Sequence, residues 1–357
     1  MKERAGFFFP STFECLEEAE QMRALKSLLL GSGLILLTLT AFTNAVLAEY
    51  PCKNIRVIVA SSAGGGTDSY ARAFGALAEK ELGTKIIVSN MPGAAGTKAG
   101  NDVWQGPHDG CTILGMSETT MTYGVNGALT TAKDWHYYIF GGSPGVIAVQ
   151  ADSPYKTFED FLAAAKAKPE SIKIANSGIG KLWHLKVVMI EQEGGVTFKH
   201  VGFNGSKPAM TSLLTGEVDA VSASTGEVGP YVESGKMRAL VITETEGFTF
   251  PGGSEIPAVT SIIPGVAKHL PMGQFLAYLF PRDVPQEALD AFQPAFDKVI
   301  ASDEFKKFIA SQGAKIYGIY GEKADEMTLG MEQRFSWFAQ DMGTAKVNPE
   351  TLGIKRP

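Results

Sequence analysis

Short runs of β-branched residues alternate with helix-length segments in this chain, and this alternation constrains its fold more than any other feature. Residues 55–60, 85–90 and 111–116 are predicted strands, and residues 68–82 and 93–105 are predicted helices between them. A strand–helix–strand–helix–strand series favours a parallel sheet, because each helix returns the chain to the same edge. The series therefore predicts an α/β protein.

The same alternation resumes after a break at residues 137–150, where residues 146–150 are an apolar strand. The predicted strands that follow are 172–176, 198–201, 218–222, 237–243 and 275–280. The predicted helices are 158–168, 182–193, 208–215, 229–234, 286–301, 303–312 and 324–343. Residues 245–272 are rich in Pro and Gly and are predicted to be a connector.

Two series of β-α units joined by two apolar strands predict two lobes with a hinge between them, a geometry that closes around a ligand. We expect domain 1 to comprise residues 49–147 and 275–357, and domain 2 to comprise residues 148–274. Each lobe is expected to contain a parallel-rich sheet with flanking helices. The formal net charge of -6 is scattered, which argues against a basic nucleic-acid-binding surface.

The N-terminus has the three-part layout of a secretory signal. A basic start is followed by the apolar run 27–42 and by the small residue Ala48, after which we predict cleavage. Residues 22–48 are therefore the predicted signal peptide, with residues 1–21 an over-long start and Met22 the true initiator. The alternative is a retained transmembrane anchor, because the run is near the lower length limit for spanning a bilayer. The layout predicts a periplasmic protein.

Removal of the signal leaves Cys52 and Cys111 as the cysteines of the mature chain. Each lies just before an apolar run, and parallel neighbouring strands would bring both cysteines to the same edge of a sheet. An oxidising compartment favours a disulfide between them. Two free thiols are the alternative.

The sharpest local feature is a glycine loop between the first strand and the first helix. Its residues are Ala63, Gly64, Gly65, Gly66, Thr67 and Asp68. Glycines let a ligand approach bare N–H groups, and a helix N-terminus favours an anion. The loop predicts an anion site, although it could also simply connect strand to helix.

Two more glycine loops follow strands in the second series of β-α units. The end of the third predicted strand, at residue 116, is expected at the same edge of the sheet as the first glycine loop. In open α/β sheets the ligand crevice lies outside the carboxyl ends of the strands. The candidate residues there are Gly202, Phe203, Asn204, Gly205 and Ser206, then Ser177, Gly178, Gly180 and His184, and finally Ser117 and Glu118. One helix terminus contributes roughly 0.3–1 kcal/mol, whereas a micromolar ligand needs about 8 kcal/mol. We therefore expect several loops to act together.

Two enzyme interpretations are weak. Residues 141–145 match G-x-S-x-G around Ser143, but an apolar strand follows where a nucleophile elbow needs a helix. The glycines at 64–66 resemble a dinucleotide-binding turn, but Ser69 stands where the third glycine of that motif belongs. The five histidines lack metal-ligand spacing. We predict no enzymatic activity, no cofactor and no metal.

Many short motifs occur in the order found in one transporter-associated family. They are GGGTD (64–68), NMPGAAGT (90–97), HDGCT (108–112), SGIG (177–180), GFNGSKPA (202–209), LTGEVD (214–219), SGKMRAL (234–240) and IPAVT (256–260). The mature chain thus resembles the periplasmic solute-binding subunits of tripartite tricarboxylate transporters, the Bug family. The resemblance implies a type II periplasmic-binding-protein (Venus flytrap) fold. It also implies that two glycine loops grip a ligand carboxylate, which is delivered to the permease subunits in the membrane.

Two of the glycine loops depart from the family pattern. Ala63 stands where the family usually has Pro, and residues 203–205 read Phe-Asn-Gly where Tyr-Lys-Gly is usual. The glycine loops contain no arginine, so we expect backbone donors to hold the carboxylate. Trp183 and Phe203 could favour a flat or apolar ligand body or could simply pack. The alternative function is ligand sensing for a signalling receptor, followed by a secreted α/β hydrolase.

Overall fold

The computed structural model describes residue 50 and residues 52–357, so the predicted signal peptide and extension lie outside the described residues. The strands of that part, in chain order, are β1 (Asn54–Val59), β2 (Lys85–Asn90), β3 (Thr112–Ser117), β4 (Trp135–Gly142), β5 (Gly145–Gln150), β6 (Lys173–Asn176), β7 (Lys199–Gly202), β8 (Ala220–Ser224), β9 (Met237–Ile242), β10 (Phe248–Thr249), β11 (Glu255–Ile256), β12 (Leu276–Pro281) and β13 (Lys315–Ile319).

The α-helices of the same part are α1 (Gly66–Leu82), α2 (Thr97–Gln105), α3 (Phe158–Ala167), α4 (Leu182–Gly194), α5 (Ser206–Leu214), α6 (Thr225–Glu233), α7 (Val259–Ile262), α8 (Gln286–Ala301), α9 (Asp303–Ser311) and α10 (Gly321–Asp341). Short 3-10 segments, such as Glu118–Thr122 directly after β3, complete the structure. Within the described residues, no helix is long and apolar enough to cross a membrane.

The first sheet has six strands in the order β13-β4-β12-β3-β1-β2. β1 pairs in parallel with both β2 and β3, as the sequence predicts for this series. β12 pairs antiparallel with β3 and β4, and β13 pairs antiparallel with β4. The sheet is therefore mixed. We call this sheet with its helices lobe 1.

The second sheet has five strands in the order β7-β6-β8-β5-β9, and we call it with its helices lobe 2. β6 is parallel to β7 and β8, whereas β5 is antiparallel to β8 and β9. Two mixed sheets with flanking helices confirm the two-lobed α/β fold. The chain enters lobe 2 between β4 and β5 and returns to lobe 1 between β9 and β12. One apolar cluster spans both lobes and includes Leu279 of lobe 1 and Ile147 of lobe 2.

Cys52 and Cys111 form a disulfide, with their Cα atoms 5.8 Å apart. The bridge forms because β1 and β3 are adjacent and parallel, so the residues that precede them meet at one edge. Arg56 N donates to the Cys111 carbonyl at 2.8 Å and continues the pairing to that edge. The predicted disulfide is confirmed, and it lies at the opposite end of these strands from the glycine loops.

The predicted helix 93–105 begins later in the structure, at Thr97, after the 3-10 segment Ala94–Gly96. Three further differences are found. β13 was not predicted, because Gly318, at φ +60°, interrupts its alternating pattern. α6 begins at Thr225 rather than 229, because Ser224 and Glu227 form a capping box at its start. The predicted connector 245–272 contains the short elements β10, β11 and α7.

Candidate functional site

The glycine loops of both lobes meet at a small cavity at the carboxyl ends of the strands. The space enclosed there is about 30 Å³, room for about two water molecules. Its lining residues are Ser61, Gly65, Gly66, Thr67, Ser117, Glu118, Thr119, Ser177, Lys181, Trp183, Gly205, Ser206, Glu227 and Gln274. We call this space the cleft.

The first glycine loop is held in shape by Asp68. Its carboxylate accepts hydrogen bonds from Gly64 N at 2.8 Å and from Asn90 Nδ2 at 2.8 Å, and it pairs with Arg72. Burial raises the pKa of Asp68, but the hydrogen bonds from Arg72, Gly64 and Asn90 outweigh it, and the pKa lies below its usual value. Asp68 itself lies behind the loop and fixes its conformation.

Replacing Asp68 with Asn is expected to reduce the free energy of unfolding at pH 7 by about 1–3 kcal/mol, because charge-assisted hydrogen bonds to a buried group are lost. The folded-state pKa is below the unfolded value of about 3.9, so this stability is present above pH 4 and disappears as the pH falls further. Urea unfolding at pH 7 and pH 3 measures the difference. The exposed substitution Asp102→Asn is the control. If the difference in unfolding free energy between the wild type and Asp68→Asn were the same at both pH values, the prediction would be wrong.

The second glycine loop touches the first one directly. Ser62 N in lobe 1 donates to the Asn204 carbonyl in lobe 2 at 3.1 Å. Gly205, at φ +133°, has a backbone conformation that other residues rarely adopt. A methyl group there would overlap Ser62 Oγ and lie 3.2 Å from Ser62 N. Gly205 therefore permits the close approach of the two lobes.

The third glycine loop contacts the segment that follows β3. Thr122 Oγ1 donates to the Gly180 carbonyl at 3.2 Å, and His184 Nδ1 accepts from Gly180 N at 3.2 Å. This acceptor role assigns a neutral His184 whose proton is on Nε2. Burial, together with the charge of His200, lowers the pKa of His184 to about 4, which is consistent with a neutral ring. His184 thus anchors the loop.

Three helices begin at the cleft without a capping side chain. The N-cap residues of α1, α4 and α5 are Gly65, Lys181 and Gly205, and in the described structure none of them caps its helix through its side chain. Thr67 and Ser206 in the first turns line the cleft. First-turn N–H groups have no partner within the helix, and at α1 one of them, Gly66 N, already donates to Glu227 Oε1. The remaining first-turn N–H groups of the three helices favour an anion in the cleft.

The lining residues include three ionisable side chains. Burial raises the pKa of Glu118 to about 8 despite hydrogen bonds from Phe275 N and Ser117 Oγ. Burial lowers the pKa of Lys181 to about 8, an effect that the charge of Glu118 partly offsets. Glu227 Oε1 accepts a hydrogen bond from Gly66 N at 2.6 Å, so a side chain of lobe 2 reaches the start of α1 in lobe 1.

The structure brings some of the predicted site residues together at the cleft and places others behind it. Those that line the cleft are Gly65, Gly66, Thr67, Ser117, Glu118, Ser177, Gly205 and Ser206. Those outside the lining are Ala63, Gly64, Asp68, Gly178, Gly180, His184, Gly202, Phe203 and Asn204. Several of the second group shape the loops, as Asp68 and His184 do.

Sequence reasoning did not select six lining residues as site residues: Ser61, Thr119, Lys181, Trp183, Glu227 and Gln274. Lys181 directly follows the third glycine loop, and the expectation of a carboxylate held by backbone donors, which rests on the absence of arginine, does not extend to this lysine. The capping-box spacing of Ser224 and Glu227 is readable in the sequence, whereas the contact of Glu227 with the other lobe is not.

Ser143 lies between β4 and β5, where the chain crosses between the lobes. Its hydroxyl contacts Tyr70 Oη at 3.2 Å and donates to the Gln312 carbonyl at 3.2 Å. A nucleophile elbow needs a strand, a sharp turn and then a helix, and here two strands flank the serine. Ser143 therefore has a structural position at the crossing.

Curated relatives cover most of the chain. A protein of Cupriavidus necator named "UPF0065 protein in gbd 5'region" is 31% identical over 264 residues, which is 73% of this chain and 80% of that protein. A UPF0065 protein of Bordetella bronchiseptica is 28% identical over 341 residues, covering 91% of this chain and 94% of that protein.

Solved structures show the same fold. An R. palustris protein, Rpa4515, solved with adipate, has a TM-score of 0.76 at 21% identity and covers 83% of this chain and 99% of its own. The periplasmic binding protein BugD has a TM-score of 0.73 at 22% identity and covers 83% of this chain and 99% of its own. Residues 70–337 match the family model "Tripartite tricarboxylate transporter family receptor". The resemblance stated from the sequence motifs is confirmed, and the chain belongs to this family of periplasmic solute-binding proteins.

Proposed function

We propose that this protein captures a small organic carboxylate between its lobes and delivers it to the permease subunits of a tripartite tricarboxylate-type transporter. The observation that carries the proposal is the convergence of three helix N-termini, from both lobes, on one cleft, none of which is capped by the side chain of its own N-cap residue. No single terminus supplies enough free energy for a micromolar ligand, whereas several charge-assisted bonds at about 1.5–3 kcal/mol each do. The protein is proposed to act by binding alone, without catalysis.

Two further features support anion binding. Ser61 Oγ is buried at the cleft and has no hydrogen-bond partner among the described residues, so it is free to bind a ligand oxygen. Lys181 adds a cationic group beside the main-chain donors. A relative of the same fold was solved with adipate, which is a dicarboxylate. These features favour a carboxylate over a neutral sugar.

We propose that opening and closing occur between the predicted domains, residues 49–147 with 275–357 against residues 148–274. The direct contact of Ser62 with Asn204 belongs to the closed form, and it must break for a ligand to enter. Ligand contacts to both lobes would then stabilise the closed form, as expected for a population shift. The permease would engage this closed, loaded form.

A ligand screen tests the proposal. The purified protein is expected to show a thermal shift with at least one compound among dicarboxylates, tricarboxylates, aromatic acids and amino acids, because a ligand that binds only the folded state stabilises it. Trp183 lines the cleft, so its fluorescence provides a second measure of the same binding. No shift with any carboxylate, or chemical turnover of one, would contradict the proposal.

A further inference from the structure

The charges that line the cleft are unusual for a site that holds only an anion. Among the lining residues of the cleft, the ionisable side chains are Glu118, Lys181 and Glu227. With a pKa of about 8, Glu118 is mostly protonated near neutral pH, and Lys181 mostly retains its charge at the same pH. The cleft therefore presents one cation and one carboxylate to a ligand.

Glu227 is held in place from two sides. Its Oε2 accepts from Ser224 Oγ at 2.8 Å in the capping box of α6. Its Oε1 accepts from Gly66 N at 2.6 Å. The carboxylate thus occupies a first-turn N–H group of α1 and offsets the partial positive charge of that helix end. A second anionic group brought to this side of the cleft would face Glu227 directly.

Lys181, in contrast to Glu227, is a cation that favours an anionic ligand group. The residue is only 7% exposed and lines the cleft, and its ammonium group makes no hydrogen bond or salt bridge within the described part of the chain, although the charge of Glu118 acts on it. A ligand carboxylate in the cleft would give this ammonium group a charge-assisted hydrogen bond and so gains affinity. Lys181 is also the N-cap residue of α4, whose first-turn N–H groups have the same preference for an anion. This side of the cleft suits a carboxylate.

We propose that the ligand is a zwitterion, with its carboxylate bound by Lys181 and the adjacent helix N-termini and its ammonium group bound by Glu227. This inference rests on the proposed function, since it specifies the class of carboxylate that the cleft takes. An ammonium group donates up to three hydrogen bonds, and the Glu227 carboxylate has lone pairs beyond the two bonds already made. A dianionic ligand has no cation to match Glu227, which makes Lys181 and Glu227 specificity-determining residues.

Matched ligand pairs test the inference by calorimetric titration. Each pair differs by one amino group: propionate and L-alanine, succinate and L-aspartate, adipate and L-2-aminoadipate. In at least one pair the amino compound is expected to bind at least about tenfold more tightly, because it alone matches the carboxylate of Glu227. The amino-free partner is expected to bind weakly or not at all.

Variants of Glu227 and Lys181 test whether these two side chains cause the preference for the amino compound. Glu227→Gln keeps the capping box, since glutamine also serves at this position, but removes the charge. It is expected to reduce the preference for the amino compound to less than about twofold. Lys181→Met is expected to weaken both members of the pair by at least about tenfold. The controls are Glu233→Gln, an exposed change at the end of α6, and Lys166→Met, an exposed change on α3.

The outcomes separate this inference from the function on which it rests. Equal or tighter binding of the amino-free member of each pair overturns the zwitterion inference and leaves carboxylate capture intact. An unchanged preference in Glu227→Gln, with circular dichroism showing a folded variant, also overturns it. Failure of every pair and of every other carboxylate overturns both. A tenfold preference that Glu227→Gln removes and Glu233→Gln retains supports the inference.

Discussion

Gly205→Ala is expected to weaken ligand binding by about 100-fold while both sheets remain folded. The added methyl group would overlap Ser62 Oγ, which belongs to the opposite lobe, so the steric conflict exists only when the lobes are closed. A penalty of about 2.7 kcal/mol on the closed form corresponds to this factor in affinity. Calorimetric titration with a ligand found in the screen measures the change.

Gly235→Ala is the matched control for this variant. Gly235 also has a positive φ, +68°, and lies in lobe 2, but a methyl group there meets nothing within 4 Å. Both variants carry backbone strain, which urea unfolding reports and which is larger for Gly205→Ala because φ +133°, ψ 166° is a conformation essentially restricted to glycine. Only Gly205→Ala also obstructs closure. Affinity within about twofold of the wild type in Gly205→Ala would show that these loops need not meet for binding.

The double variant Cys52→Ser/Cys111→Ser is expected to lose about 4 kcal/mol of unfolding free energy. The disulfide joins residues separated by 59 positions, and the chain-entropy model gives about 4 kcal/mol for closing a loop of this length in the unfolded state. Urea unfolding of the oxidised protein and of the variant measures the loss. A loss below about 1 kcal/mol would contradict the prediction.

Two controls accompany the cysteine variant. Dithiothreitol should lower the stability of the wild type by a similar amount and leave the double variant unchanged. Ligand affinity should stay within about twofold of the wild type in native conditions, because the bridge lies at the opposite end of β1 and β3 from the cleft. A large loss of affinity in a folded variant would instead connect this edge to the site.

The sequence allowed the local part of the fold to be predicted. β1, β2 and β3 alternate with helices over short distances, so the pattern predicted their parallel order and favoured a disulfide between Cys52 and Cys111 over two free thiols. β13 was missed because its partner, β4, lies far away in the chain and Gly318 breaks its alternation. Pairing over such distances is set by tertiary packing.

In the candidate site, too, features set by local sequence could be predicted and features set by long-range contacts could not. The glycine loops were identified because each follows a strand and opens a helix, a relation that is visible in a few residues. The positions of Lys181 and Glu227 in the cleft were not predicted from the sequence. Each position depends on contacts between segments that lie far apart along the chain. Glu227 meets Gly66 across 161 positions. Motif reasoning thus finds the main-chain donors more readily than the side chains that select a ligand.

The main-chain N–H groups at the starts of α1, α4 and α5 have a consequence for how such a receptor can diversify. Main-chain amides persist through almost every substitution, so the attraction for a carboxylate head survives extensive divergence of the surrounding side chains. Under the proposed recognition, choice among acids then depends on a few cleft side chains, of which those at 181 and 227 are two. A new nutrient specificity could arise by exchanging those few positions, without rebuilding the scaffold that carries them.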